Sequence, residues 1–241
     1  MPTKLPDRSH KQTQADKRII ARWIIRESMG VIMVGVALFL PAGTLDWLAG
    51  WAMVVLTLLW VVATGAVLIP RNPDLLAERM GPKEGSKSWD ILIMSLFGIL
   101  ELVKLVVAGF DQRYGWTSSI SAGLQVIMLL AAAAGYGVVV WATASNAYFA
   151  QTVRIQTERG QTVATGGPYR IIRHPGYVGA VIYSIATPIM LGSWWALIPG
   201  GLAGFLIILR TALEDQTLLQ ELPGYSEYSQ RVRYRLLPGL W

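Results

Sequence analysis

Scanning apolar against polar positions, four runs of mostly apolar residues stand out at 28–45, 48–69, 89–110 and 120–141. Each is close to the ~20 residues that cross a bilayer core as a helix. A fifth apolar stretch, 177–209, is too long for one crossing. Pro188, Gly192 and the pair Trp194-Trp195 break it in two around a tight turn, and Pro199 softens the start of the second half. The pattern predicts an all-α integral membrane protein with about six transmembrane segments, the last two forming a helical hairpin. No repeat at a period of ~20–50 residues is visible, which gives no support to a solenoid or an inverted-repeat transporter. Residues 1–27 are polar and basic and lack a small-residue cleavage site, so they read as a retained cytoplasmic segment. Residues 28–144 then form a four-span scaffold, and polar residues gather in 145–241, on both sides of the hairpin.

Composition strengthens this picture. Hydrophobic residues make up 53% of the 241 and charged residues only 15%, against about 25% in soluble proteins. Ten Trp, nine Tyr and 24 Gly fit membrane interfaces and membrane helices. With no Cys, neither disulfides nor thiolate chemistry can exist, and two His give no multi-His metal site. A net charge of +6 would suit a nucleic-acid binder if it formed a basic face on a soluble module. Instead, 19 of the 21 Lys and Arg fall in the first segment, in the alternate connections and at the end of the chain. That asymmetry predicts both termini in the cytoplasm and accounts for the basicity without nucleic acid.

Chemistry concentrates in 165–179. Pro175 suits the first turn of a helix, which puts His174 at its N-cap beside Arg173, where free N–H groups favour an anion. Tyr177 comes round to the same side, and Gly176 and Gly179 allow close approach. Interfacial anchoring is the plain alternative, above all for Arg170. Where the last span ends, Arg210 and Glu214 are four apart and can simply pair, whereas Glu214 and Asp215 together can attract a cationic group. Arg231, Arg233 and Arg235 equally suit anionic headgroups. Glu101 and Lys104 lie mid-membrane three apart and can neutralise each other. Asn146, Tyr148 and Phe149 close the fourth span and can line a pocket. No phosphate-binding loop, dinucleotide turn or zinc-type His spacing is present.

The residues Asn146-x-Tyr148-Phe149, Thr165-x-Gly167-Pro168-Tyr169-x3-Arg173-His174-Pro175-x-Tyr177-x-Gly179, Arg210-Thr-x2-Glu214-Asp215-x2-Leu218, Gly224-Tyr225-x2-Tyr228 and Arg235-x2-Pro238 resemble the isoprenylcysteine carboxyl methyltransferase family, whose superfamily includes phospholipid N-methyltransferases. Arg71-Asn72-Pro73 with Glu78-Arg79, and Gly109-x-Asp111-x-Arg113, resemble bacterial members more loosely. The resemblance implies a methyltransferase core over 145–241 using S-adenosylmethionine, with S-adenosylhomocysteine as product. It assigns the cofactor wall to Gly167, Tyr169, His174, Pro175, Tyr177, Gly179, Glu214 and Asp215. Catalytic roles fall to Arg173, Arg210 and Glu214, and acceptor contacts to Asn146, Tyr148, Arg233 and Tyr234. The expected acceptor is amphipathic, such as an isoprenylcysteine-like carboxylate, and no metal is implied. Gln161 stands where many relatives have His. Other readings stay open: a phospholipid or thiol methyltransferase, a sterol-reductase-like enzyme using NADPH, or a lipid-binding scaffold.

Overall fold

The computed structural model describes residues 8–71 and 73–241, with side chains from residue 16 onward except 71–73. Lys4, Asp7 and Asn72 lie outside the described residues, as do the side chains of Arg8, His10, Lys11, Arg71 and Pro73. All regular structure among the described residues is helical: α1 (Arg8–Ala42), α2 (Leu48–Arg71), α3 (Pro73–Glu78), α4 (Ser88–Tyr114), α5 (Ala122–Ala144), α6 (Pro175–Met190), α7 (Leu197–Glu221) and α8 (Tyr225–Arg231). Two 3-10 turns, Thr157–Arg159 and Gly167–Arg170, punctuate the long connection between α5 and α6.

Five helices (α1, α2, α4, α5 and α7) are long and apolar enough to cross a membrane. The sixth apolar helix, α6, has 16 residues, or about 24 Å at 1.5 Å per residue, against a bilayer core of about 30 Å. It ends at Met190, and residues 191–196 turn the chain into α7, which gives the expected hairpin. Large apolar side chains such as Leu40, Leu59, Leu92, Leu130 and Phe205 stand exposed along these helices, as a lipid-facing surface requires.

Residues 8–27 of the polar first segment are helical and continuous with the first span, within the 35-residue helix α1. The reason is local: Trp23 is buried with Leu68, Leu75 and Leu76, and Ile19 and Ile20 pack against them, so the polar part of α1 has an apolar stripe docked on α2 and α3.

The tightest helix crossing is α5 on α6. A Cβ on Gly135 would stand 2.7 Å from the Gly179 carbonyl oxygen, and a Cβ on Gly179 would collide with the carbonyl of Gly135. Small residues at a crossing let two backbones approach, a common way to pack helices where lipid supplies no hydrophobic drive. Gly179 is therefore a packing residue, which places the start of α6 against α5. Within the membrane, Lys104 donates to Glu101 at 2.5 Å, Ser184 donates to Glu101 at 3.0 Å, and the Lys104 ammonium sits 4.5 Å above the Tyr183 ring. Lys104 does not snorkel outward; it is fully buried and ties α4 to α6.

Basic connections converge at one end of the bundle, where Lys87 pairs with Glu221 and Arg154 with Glu78. At the other end, Asp111 accepts from Thr117 and Ser193, fastening α4 to the hairpin turn. Gly179→Ala is expected to cost about 1–3 kcal/mol by overpacking. Gly137→Ala, at an open position on the same helix pair, should be neutral or slightly stabilising. Thermal unfolding of the two variants in detergent compares them directly.

Candidate active site at the basic end of the bundle

Asp215, on α7 and with no exposed surface, organises this end. His174 Nε2 lies 3.1 Å from its Oδ1, and the Tyr225 hydroxyl donates to the same oxygen at 2.8 Å. Its Oδ2 accepts from Arg173 at 3.0 Å and from Arg235 at 2.8 Å. The Arg173 Nε is 2.9 Å from Oδ1 without the alignment of a hydrogen bond. One carboxylate thus joins the entry to α6, the start of α8 and the C-terminal strap. The backbone repeats the link, with Arg173 N donating to the Tyr234 carbonyl at 2.9 Å and His174 N to that of Arg235 at 3.0 Å.

A cleft of about 730 Å³, open mouth included, lies against this hub. That size falls in the ~300–1,000 Å³ range of small-molecule pockets. Asn146, Tyr148 and Phe149 form one side, Tyr169, His174 and Tyr177 another, and Glu214, Leu218, Tyr225 and Tyr228 the third. The connection after α5 is pinned to itself, with Tyr148 OH donating to the Gly160 carbonyl at 3.0 Å and Gln156 Nε2 to the Tyr148 carbonyl at 2.8 Å. Gln161 lines the cleft, and its side-chain oxygen accepts from the Gln156 backbone at 2.7 Å. His174 is the N-cap of α6 with Pro175 at N1, as expected, and its ring stacks on Tyr177 at 5.6 Å. Burial pushes the Tyr228 phenol up to about 12, and pushes Tyr169 and Tyr225 up as well, so all three remain neutral hydrogen-bonding groups.

The acidic pair divides its labour. Asp215 does not line the cleft, so it acts behind the wall rather than on a ligand. Glu214 does line it, accepts from the Tyr177 hydroxyl and has no cationic partner among the described residues. The four-residue spacing of Arg210 and Glu214 does not produce a pair. Arg210 turns instead to Asp90 in the first turn of α4, at 2.6 and 3.1 Å, and to the Gln151 carbonyl at 2.9 Å. A buried guanidinium gains more from a two-pronged carboxylate than from a surface partner.

Other expected positions fall outside the cleft. Gly167, Pro175 and Gly179 build the backbone behind it; at Gly167 φ is +54° and a side chain would strike Ser145. Arg233 and Tyr234 are exposed on the strap and do not line it, so of these two residues only the Tyr234 carbonyl, bonded by Arg173, reaches the site. Arg173 lines the cleft with its charge already committed to Asp215. The residue that sequence reasoning missed is Asp90; an acidic residue one turn into a membrane helix, at its positive end, was the available signal. Asp215→Ala should be strongly destabilising, by about 3–5 kcal/mol, because it strands two guanidiniums. Asp215→Asn should recover part of that loss, as read by thermal unfolding in detergent.

A carboxylate without a cation, ringed by tyrosines, suits a ligand that carries both a positive charge and an aromatic ring. Residues 125–220 match the model of the isoprenylcysteine carboxyl methyltransferase family. Two rice relatives, from the indica and japonica subspecies, are each called probable protein-S-isoprenylcysteine O-methyltransferase and are 30% identical over 86 residues, 35% of this chain and 45% of theirs. Protein-S-isoprenylcysteine O-methyltransferase B of Arabidopsis thaliana is 28% identical over 144 residues, 57% of this chain and 68% of its own length. The chain thus spans less than half the length of the rice relatives it matches. The matched segment runs from α5 through the hairpin to the end of α7 and contains His174, Tyr177, Glu214 and Asp215, so it is the site-bearing part of the chain that is similar to the isoprenylcysteine carboxyl methyltransferase family.

Proposed function

We propose that the protein is a membrane methyltransferase that uses S-adenosylmethionine and methylates an amphipathic acceptor reaching it laterally from the lipid, such as the carboxylate of an isoprenylcysteine-like compound. The observation that carries this reading is Glu214, a carboxylate without a cationic partner among the described residues, in a tyrosine-lined cleft. Such a group complements the ammonium or sulfonium end of the donor, while Tyr148, Tyr169 and Tyr228 offer faces for its adenine. When bound, the donor supplies an already activated methyl group.

What the chain adds is alignment and exclusion of water. Phe149, Ala150, Gly176, Tyr177 and Arg210 line both the cleft and a second, more apolar chamber inside the bundle, and so form the partition across which donor and acceptor would meet. A side chain at Gly176 would run 2.6 Å from the Phe149 ring, so glycine keeps the partition thin. Arg210, held by Asp90 with its guanidinium 5.0 Å over the Tyr177 ring, fixes that ring in the partition. A carboxylate acceptor needs no general base. In this reading the basic end faces the cytoplasm of a bacterial inner membrane, where the donor is made, and both termini lie there.

The test is transfer of label from methyl-labelled donor into a lipid extract of the native host by detergent-purified protein, with identification of the labelled product. A labelled amphiphile is expected, and Glu214→Gln should lower the rate about 10- to 100-fold, the equivalent of losing one charge-assisted contact. Absence of label, together with calorimetric binding of NADPH and not of S-adenosylhomocysteine, would overturn the proposal.

A further inference from the structure

The second chamber, about 900 Å³ including its opening, is walled by α1, α2, α4, α5, α6 and α7. Its lining is apolar along most of its length, yet three guanidiniums, Arg26, Arg79 and Arg210, and one carboxylate, Glu27, stand around it. Two of the guanidiniums are accounted for. Arg26 pairs with Glu27 and also donates to the Arg79 carbonyl, and Arg210 is held by Asp90.

Arg79 differs. No carboxylate lies within ion-pairing distance of it among the described residues; its side chain reaches only the Phe149 carbonyl, at a long 3.4 Å, and lies 5.4 Å over the Phe149 ring. Burial, with Arg26 next to it, holds its pKa down to about 10, so it keeps its charge at neutral pH in a setting that disfavours that charge. A cation held in this way gains from an anion brought by a ligand. Phe149, which Arg79 covers, is part of the partition with the cleft, so an anion on Arg79 is next to the place where the two cavities meet.

A second residue of the chamber lies deeper. Trp60 on α2 lines it, with its ring stacked on Tyr136 at 5.2 Å. Its Nε1–H has no exposed surface, so Trp60 offers an occupant the apolar part of its ring. Both residues lie outside the segment that matches the family model, in the part of the chain where its own selectivity can reside.

We propose that Arg79 holds the anionic head of an amphiphile whose chain fills the second chamber and packs along Trp60. Resting on the methyltransferase reading, this makes Arg79 a positioning residue for the acceptor and predicts selection of carboxylate-headed over neutral acceptors.

The test measures binding to the full chain in phosphatidylcholine nanodiscs, using S-dodecylthioglycolate as the anionic probe and its primary amide as the neutral one. Wild type should prefer the carboxylate. Arg79→Gln should abolish that preference by weakening carboxylate binding about tenfold or more, leave amide binding unchanged, and be rescued in part by Arg79→Lys. Trp60→Phe should weaken both probes equally. Equal loss of both probes in Arg79→Gln, or no change in either, would overturn the proposal. So would Arg79-dependent displacement of the probe by phosphatidylglycerol added to the discs, which would mark a resident-lipid site. Binding of S-adenosylhomocysteine, measured in the same discs, keeps the two ideas apart. If it binds while Arg79 confers no preference, the inference fails and the methyltransferase reading stands; if it fails to bind while the preference holds, the reverse is true.

Discussion

The functional end of this protein depends on one fully buried carboxylate, Asp215, and on the cationic and polar groups that pay for its burial. A carboxylate removed from water is tolerable only if its lone pairs are filled by hydrogen-bonded, charged partners. Arg173, Arg235, His174 and Tyr225 fill them, and they come from three chain segments that the carboxylate ties together. Ring orientation of His174, closure of the C-terminal strap over it and the stacking of His174 on Tyr177 all follow from that requirement. Asp90 with Arg210 is the same device one layer deeper, joining α4 to α7 beneath the connection that follows α5.

With the charges behind the wall neutralised in pairs, those left over acquire meaning. Glu214 on the cleft side and Arg79 on the chamber side are each without an oppositely charged partner among the described residues. They stand on either side of a partition built from Phe149, Gly176, Tyr177 and Arg210. A positively charged donor and a negatively charged acceptor brought to those two groups would approach each other through that partition. Such an arrangement suits a transfer reaction whose donor is soluble and whose acceptor is a lipid.

Much of the fold was legible because hydropathy and length decide membrane helices almost alone, down to the turn marked by Pro188 and Gly192. The continuity of α1 was not, since its polar part is amphipathic and shows its apolar stripe only once Trp23 has α2 and α3 to dock on. At the site, the His174-Pro175 N-cap was readable from local rules. Which of two adjacent carboxylates faces the ligand was not: one residue is a 100° rotation on a helix, and only the packing of α7 turns Glu214 inward to the cleft and Asp215 to the hub. Arg210 misled for a related reason, since spacing finds partners on its own helix and is blind to Asp90, 120 residues away in sequence.

The most direct measurement is hydrogen exchange on the purified protein with and without S-adenosylhomocysteine. Slower exchange on ligand addition, concentrated in 146–177 and 225–235, is the predicted result, because those segments hold most of the cleft lining and the strap that is hydrogen-bonded to Arg173 and His174 behind it. No protection, or protection confined to the far end of the bundle around Asp111 and Ser193, would contradict the account.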